Sequence, residues 1–152
     1  MLNASKIKEF QEQAQAAIPT IQQNFTVVSD DDMALFTREV KSSDNQVVLV
    51  GVLPSYGLKF NDKDNYQHSN KMMFFVVKKF DIKKSNEEFL AVYDQTAAVV
   101  LKLEKWLFQE SEKFPCNPLF KEIDFRSFSP DPVRDYHGFN GYMINFELFT
   151  NG

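Results

Sequence analysis

Two histidines, one cysteine and several clustered carboxylates are the residues in this chain that could do chemistry. Asp135 stands two residues before His137, as an orienting acid stands near a general base, but no serine or cysteine occurs in the sharp strand-to-helix turn that a nucleophile needs. Glu122 and Asp124 alternate with Ile123 and Phe125, which puts both carboxylates on one outer strand face. Such a pair supports acid and base work only where its surroundings drive the two pKa values apart; on an outer face it is solvated or meets a basic neighbour. Asp30, Asp31 and Asp32 invite a calcium reading, yet the alternating ligands, turn glycine and distal glutamate of a calcium loop are missing, so a solvated turn is expected. His68 has no second ligand at metal spacing nearby and reads as a surface histidine. Cys116 lacks a basic neighbour or a CxxC partner and reads as an inert thiol. The scattered glycines make neither a phosphate loop nor a dinucleotide fingerprint. The expectation is a non-enzymatic protein with no metal and no cofactor. An enzyme using the Asp135 and His137 region would instead lose its activity on His137→Ala.

The elements that position these residues are organised around Ser85 to Glu112. Ser85 is placed to cap a helix, with Glu88 completing a capping box. Phe89, Val92, Tyr93, Thr96, Ala97, Val100, Leu103 and Leu107 then recur at three- and four-residue steps, and Leu90, Leu101 and Phe108 widen the stripe. Charges interrupt every apolar run well short of the ~18 residues of a membrane span, so the helix is assigned to the core. A first helix capped by Asn3 or Ser5 runs to about Ala17, with Ile7, Phe10, Ala14 and Ala17 on one face, and Pro19 ends it. Phe25, Val27 and Val28 form a short extended piece. Met33 to Val40 and Gln46 to Leu53 read as a hairpin turning at Ser42 to Asn45.

Pro54, Gly57 and the polar run to Lys71 read as a long loop, broken by Leu58, Phe60 and Tyr66. Met72 to Phe80, apolar on both sides, is the expected central strand. After a rigid exit at Pro115, Cys116 and Pro118 come a half-buried strand from Phe120 to Phe128, a proline-containing connection from Ser129 to Asn140, and a last strand from Gly141 to Thr150. The fold class is therefore α+β: a mainly antiparallel sheet of about five strands covered by one long helix, with an N-terminal helix, in a single domain spanning residues 1–152.

A net charge of −4 with dispersed lysines argues against nucleic acid and anionic membranes as partners. Lys6, Lys8 and Glu9 break up any N-terminal apolar run, and a single cysteine cannot bridge internally, so a reducing cytoplasm is the expected compartment. Sixteen phenylalanines exceed the needs of a simple core and suggest a subunit interface.

The closing segment Phe139, Asn140, Gly141, Tyr142, Met143, Ile144, Asn145, Phe146, Glu147, Leu148 resembles the last strand of small tailed-phage tail-terminator or tail-completion proteins. The element order also resembles theirs, and that of uncharacterised prophage-element proteins of Bacteroidetes. The resemblance implies a structural subunit that forms a ring on a tail tube and becomes a virion component, with itself and the tube protein as partners. The expected contact residues are Tyr56, Phe60 and Tyr66 in the loop, and Tyr136, His137 and Phe139 in the turn before the last strand. The alternative is a small-molecule or peptide-binding module with a pocket under the 57–71 loop.

Overall fold

A computed structural model describes residues 1–36, 38–41, 45–80, 85–113 and 122–151. The turn residues Ser42 to Asp44, the connection before the long helix, and the exit bearing Pro115, Cys116 and Pro118 lie outside the described residues, as does the start of the strand expected from Phe120. The elements are α1 (Ala4–Ala17), β1 (Ile21–Val27), a 3-10 helix (Asp30–Leu35), β2 (Val47–Asp62), β3 (Asn65–Lys79), α2 (Asn86–Glu112), β4 (Ile123–Tyr136) and β5 (Phe139–Asn151). The strands make one five-stranded sheet in the order β1-β2-β3-β5-β4. Three of its pairings are antiparallel, whereas β1 and β2 run parallel. The fold is α+β, as the sequence implies.

β3 dictates the layering. Its alternating residues Met72, Phe74 and Val76 enter one core, while Phe75 and Val77 enter another on the opposite face. Both helices cover the first face. In α2, Val92, Thr96, Val99, Val100, Leu103, Trp106 and Leu107 are buried, and the Ser85 hydroxyl accepts from the Glu88 amide at 3.2 Å to cap the helix. Leu90, Leu101 and Phe108 do not widen the buried stripe. They are exposed on the outer side, because a helix resting on a sheet buries only the face that meets it. Phe108 still stacks on Phe125, at 4.3 Å between centroids. In α1, capped by Asn3, Phe10 stacks on Phe74 at 4.9 Å and meets Trp106 edge-on at 5.5 Å. Ala17 is exposed, and the buried face extends on its other flank to Gln11.

The second face is covered by the crossover between β1 and β2. The strand expected at Met33 to Val40 does not form. The Ser29 hydroxyl and the Asp32 carboxylate make a capping box that starts a 3-10 helix instead. Met33, Phe36 and Val40 follow at helical rather than alternating spacing, so Met33 and Val40 are buried and Phe36 stacks on Phe25 at 4.2 Å. With no strand there, the hairpin expected with Gln46 to Leu53 is replaced by a parallel β1–β2 pair, which requires a crossover of this kind.

The loop expected from Gly57 to Lys71 is also strand. β2 and β3 pair from Val47↔Lys78 to Asp62↔Asn65, with register irregularities between Val52 and Ser55 and between Phe60 and Asp62. Pro54 falls in the first irregularity, just past the last β1 pairing at Val52, where its missing N–H leaves no ladder bond unmade. The segment from Ser129 is strand too. Pro130 and Pro132 are tolerated because β4 is the sheet's edge and pairs with β5 alone. The β4 irregularity between Asp124 and Ser129 is closed by the Ser127 hydroxyl, which accepts from the Glu147 amide at 2.8 Å and donates to the Asp124 carbonyl.

Two glycines let the layers approach. At Gly141, φ is +150°, and a Cβ would stand 2.3 Å from the Val76 carbonyl oxygen and 3.1 Å from Thr96 Cγ2, where α2 meets the sheet. At Gly51 a Cβ would stand 2.5 Å from Gln11 Oε1. Gln11 is 1% exposed: its Nε2 donates to the carbonyls of Phe25 (2.8 Å) and Leu49 (3.3 Å), and its Oε1 accepts from Thr26 Oγ1 at 2.6 Å.

Gly141→Ala meets rigid backbone and is expected to cost at least ~2 kcal/mol in urea unfolding. Gly51→Ala meets a side chain instead. It is expected to cost ~1–3 kcal/mol alone, and less than additively in a double-mutant cycle with Gln11→Ala, because the shorter side chain vacates the contested space.

Candidate functional site

The β2–β3 hairpin extends beyond both helices. Tyr56, Leu58 and Phe60 on β2 pair with Asn70, His68 and Tyr66 on β3, all on the sheet face that α1 and α2 cover further along. Asn70 marks the limit of that core. Fully buried, it accepts from the Leu2 amide (3.0 Å) and donates to the Leu148 carbonyl (2.8 Å) and Thr150 Oγ1 (3.0 Å). The Met1 ammonium donates to Thr150 Oγ1 at 2.9 Å and lies 3.4 Å from His68 Nδ1, and the Tyr56 hydroxyl donates to the Leu2 carbonyl. The N-terminal residues thus seal the core where α1 begins. Beyond this seal the strand alternation continues, and among the described residues no helix covers it.

The result is an apolar strip open to solvent. Tyr56, Leu58, Phe60 and Tyr66 are 41%, 60%, 57% and 37% exposed. The Tyr66 ring meets His68 edge-on at 5.9 Å. The hairpin's other face is polar, and several of its side chains are engaged within the sheet: Lys59 Nζ lies 5.0 Å from the Phe149 ring centroid, Ser69 donates to Glu147, and Gln67 Nε2 donates to Glu122 Oε2 at 2.6 Å. An amphipathic hairpin with its apolar side bare is suited to burying that side against another surface.

The residues expected as contacts are thus divided. Tyr56, Phe60 and Tyr66 are on the hairpin, and Leu58 joins them; its alternation with Tyr56 and Phe60 was the available signal. Tyr136, His137 and Phe139 lie at the opposite end of the sheet, since β5 pairs Phe139 with Lys79 and Asn151 with Gln67. That separation along β3 is roughly 40 Å at 3.3 Å per residue. Phe139 is not a surface residue; it is 1% exposed within the second core. Tyr136 donates to Asp30 Oδ2 at 2.9 Å and stacks on Phe75 at 5.4 Å, tying the β4–β5 turn to the 3-10 helix. The His137 ring packs edge-on against Tyr136 at 4.8 Å, and both Asp135 and His137 have left-handed backbone.

The other carboxylates are also engaged. Asp124 Oδ1 accepts from Arg126 Nε at 3.3 Å, and Asp32 Oδ2 accepts from the Ser29 amide at 3.0 Å. Asp30 to Asp32 form the first turn of the 3-10 helix rather than a loose turn. His68 belongs to a strand rather than a loop. Among the described residues no group of three His, Cys, Asp or Glu side chains converges to hold a metal ion, and no helix is long and apolar enough to cross a membrane. A groove of about 680 Å³ opens elsewhere, between α1 and β1. The pocket expected under residues 57–71 loses its premise, because those residues are paired strands. Comparison with protein-family models, curated proteins and solved structures yields no match.

Burial, with the hydrogen bond to Asp30 and the nearby Asp30 and Asp31 charges, raises the Tyr136 pKa from 10.0 to about 12. A raised folded-state pKa stabilises the fold fully below the unfolded value and loses that contribution as pH climbs through the folded one. Urea midpoints are therefore expected to fall between pH 10 and 12. In Tyr136→Phe this portion of the fall should be missing, with lower stability at neutral pH.

Proposed function

We propose that this chain is a non-enzymatic structural subunit that self-associates through the bare face of its β2–β3 hairpin. The observation that carries the reading is the strip formed by Tyr56, Leu58, Phe60 and Tyr66, exposed on a paired strand hairpin in line with the core that the helices cover. The hairpin and the β4–β5 turn stand at opposite ends of the sheet. If the strip of one copy meets the turn end of the next, the contact is head-to-tail, which is the kind that generates rings. Such a ring agrees with the resemblance of the Phe139 to Leu148 segment to tail-terminator and tail-completion proteins. The partners are then further copies of the chain and a tail tube protein, with the subunit made in the cytoplasm and carried into the virion.

Light scattering during size exclusion, followed by negative-stain imaging, tests the proposal. The protein should form a discrete oligomer whose population rises with concentration and which appears as rings. Leu58→Ser combined with Phe60→Ser should abolish rings with little change in thermal stability, because both residues are exposed in the single subunit. A wild-type protein that stays monomeric at every concentration would sink the idea.

A further inference from the structure

The two edges of the sheet are not alike. β4 carries Pro130 and Pro132 with Asp124, Arg126, Asp131 and Arg134 along its length, the features that keep an edge from pairing with another strand. β1, reading Ile-Gln-Gln-Asn-Phe-Thr-Val, has neither proline nor charge and pairs on one side only, with β2. It lies within a stretch from Gln13 to Ser29 that has no charged residue, in a chain of which 25% is charged. Strands of this kind, rich in β-formers and uncharged, are the ones that template pairing when left at an edge.

Among the described residues the space beside β1 is a groove. The groove of about 680 Å³ is lined by Lys8, Gln11, Glu12 and Gln15 of α1, by Gln22 to Thr26 of β1, and by Phe36. Gln11, buried across the carbonyls of Phe25 and Leu49, anchors β1 to its neighbour from the helix side. The Phe25 end of β1 is thereby tied to β2, while the β1–β2 register shifts between Ile21 and Gln23.

We propose that β1 is the docking strand for a second copy of this chain, the two β1 edges pairing antiparallel about a twofold axis to make one continuous sheet. Charge selects this occupant. With a net charge of −4, two copies repel at most approaches, and the uncharged edge is where they meet without placing like charges together. The rim carries one lysine and one glutamate, Lys8 and Glu12, so the patch has no net charge to repel its own copy, and across a twofold axis the two can face each other's opposite charge. Pairing of β1 with the next copy's β4 is blocked by the prolines, so edge pairing closes at two copies. This inference shares with the proposed function the premise of self-association, but it assigns a different surface.

The closing experiment separates the two surfaces. Single cysteines at Gln22, Gln23, Asn24 and Thr26, each in a Cys116→Ser background, are cross-linked under mild oxidation, with Leu58→Cys as the hairpin comparison. In antiparallel twofold pairing only the residue nearest the axis faces its own copy. Disulfide dimers should therefore peak at one β1 position and fall off on both sides, at least tenfold above the hairpin comparison. Gln22→Lys, its fold checked by circular dichroism because Gln22 Oε1 accepts from the Val47 amide, should weaken dimerisation at least tenfold. Cross-linking no higher on β1 than on the hairpin, or a wild-type protein that binds an added extended peptide yet never dimerises, overturns the proposal. If the Leu58→Ser, Phe60→Ser variant loses rings yet remains a dimer that cross-links through β1, both surfaces hold; if it still forms rings, the hairpin reading fails while the β1 edge is judged by its cross-linking alone.

Discussion

β3 presents Met72, Phe74 and Val76 to one side and Phe75 and Val77 to the other, so the centre of the sheet must be shielded from water twice over. Each such side chain contributes roughly 1.5–3 kcal/mol on burial, and the remaining layers can be understood as the means of securing it. The first face receives two helices, fitted closely enough that Gly141 and Gly51 leave no room for a methyl group. Among the described residues the second receives the crossover from β1 to β2, with Met33, Phe36 and Val40 as its apolar contacts. A parallel neighbour beside β2 follows from the same demand, since only a chain that crosses a face can also cover it.

The covering ends before the sheet does. Asn70 closes the first core with hydrogen bonds to Leu2, Leu148 and Thr150, and the hairpin continues past it. An exposed strip of four large side chains lies in line with the core beneath α1 and α2. The same alternation that fills a core therefore produces a sticky surface once the helices run out. At the edges the sheet is asymmetric in another way, with one border guarded by proline and charge and the other bare. Several carboxylates, by contrast, serve local structure: Asp32 caps the 3-10 helix, Asp30 holds Tyr136, and Asp124 accepts from Arg126.

Much of the architecture was legible because it rests on local periodicity. The Ser85 cap, the end of α1 before Pro19 and the two-sided apolar strand at Met72 are consequences of spacing that a neighbour need not confirm. The errors share a different cause. Proline and glycine at 54 and 57 read as loop punctuation, and Pro130 and Pro132 as a connection. Each is acceptable in a strand that has lost or never had a neighbour on that side, and neighbours are not written in the local sequence. Met33, Phe36 and Val40 fit alternation poorly and helical spacing well, but the capping box before them was needed to see it.

Residue type and period are enough to make the chain α+β, to assign its longest helix to the core, and to exclude familiar catalytic spacing. Where the helices stop along the sheet is set by packing. That limit separates Phe60, exposed, from Phe74, buried, although both are aromatic residues on the same face of the same pair of strands. Packing also sets which strands are edges, and with that which backbones are open to another chain. Both depend on contacts between residues far apart in the sequence, such as Leu2 with Asn70 and Gln11 with Leu49, which no local pattern records.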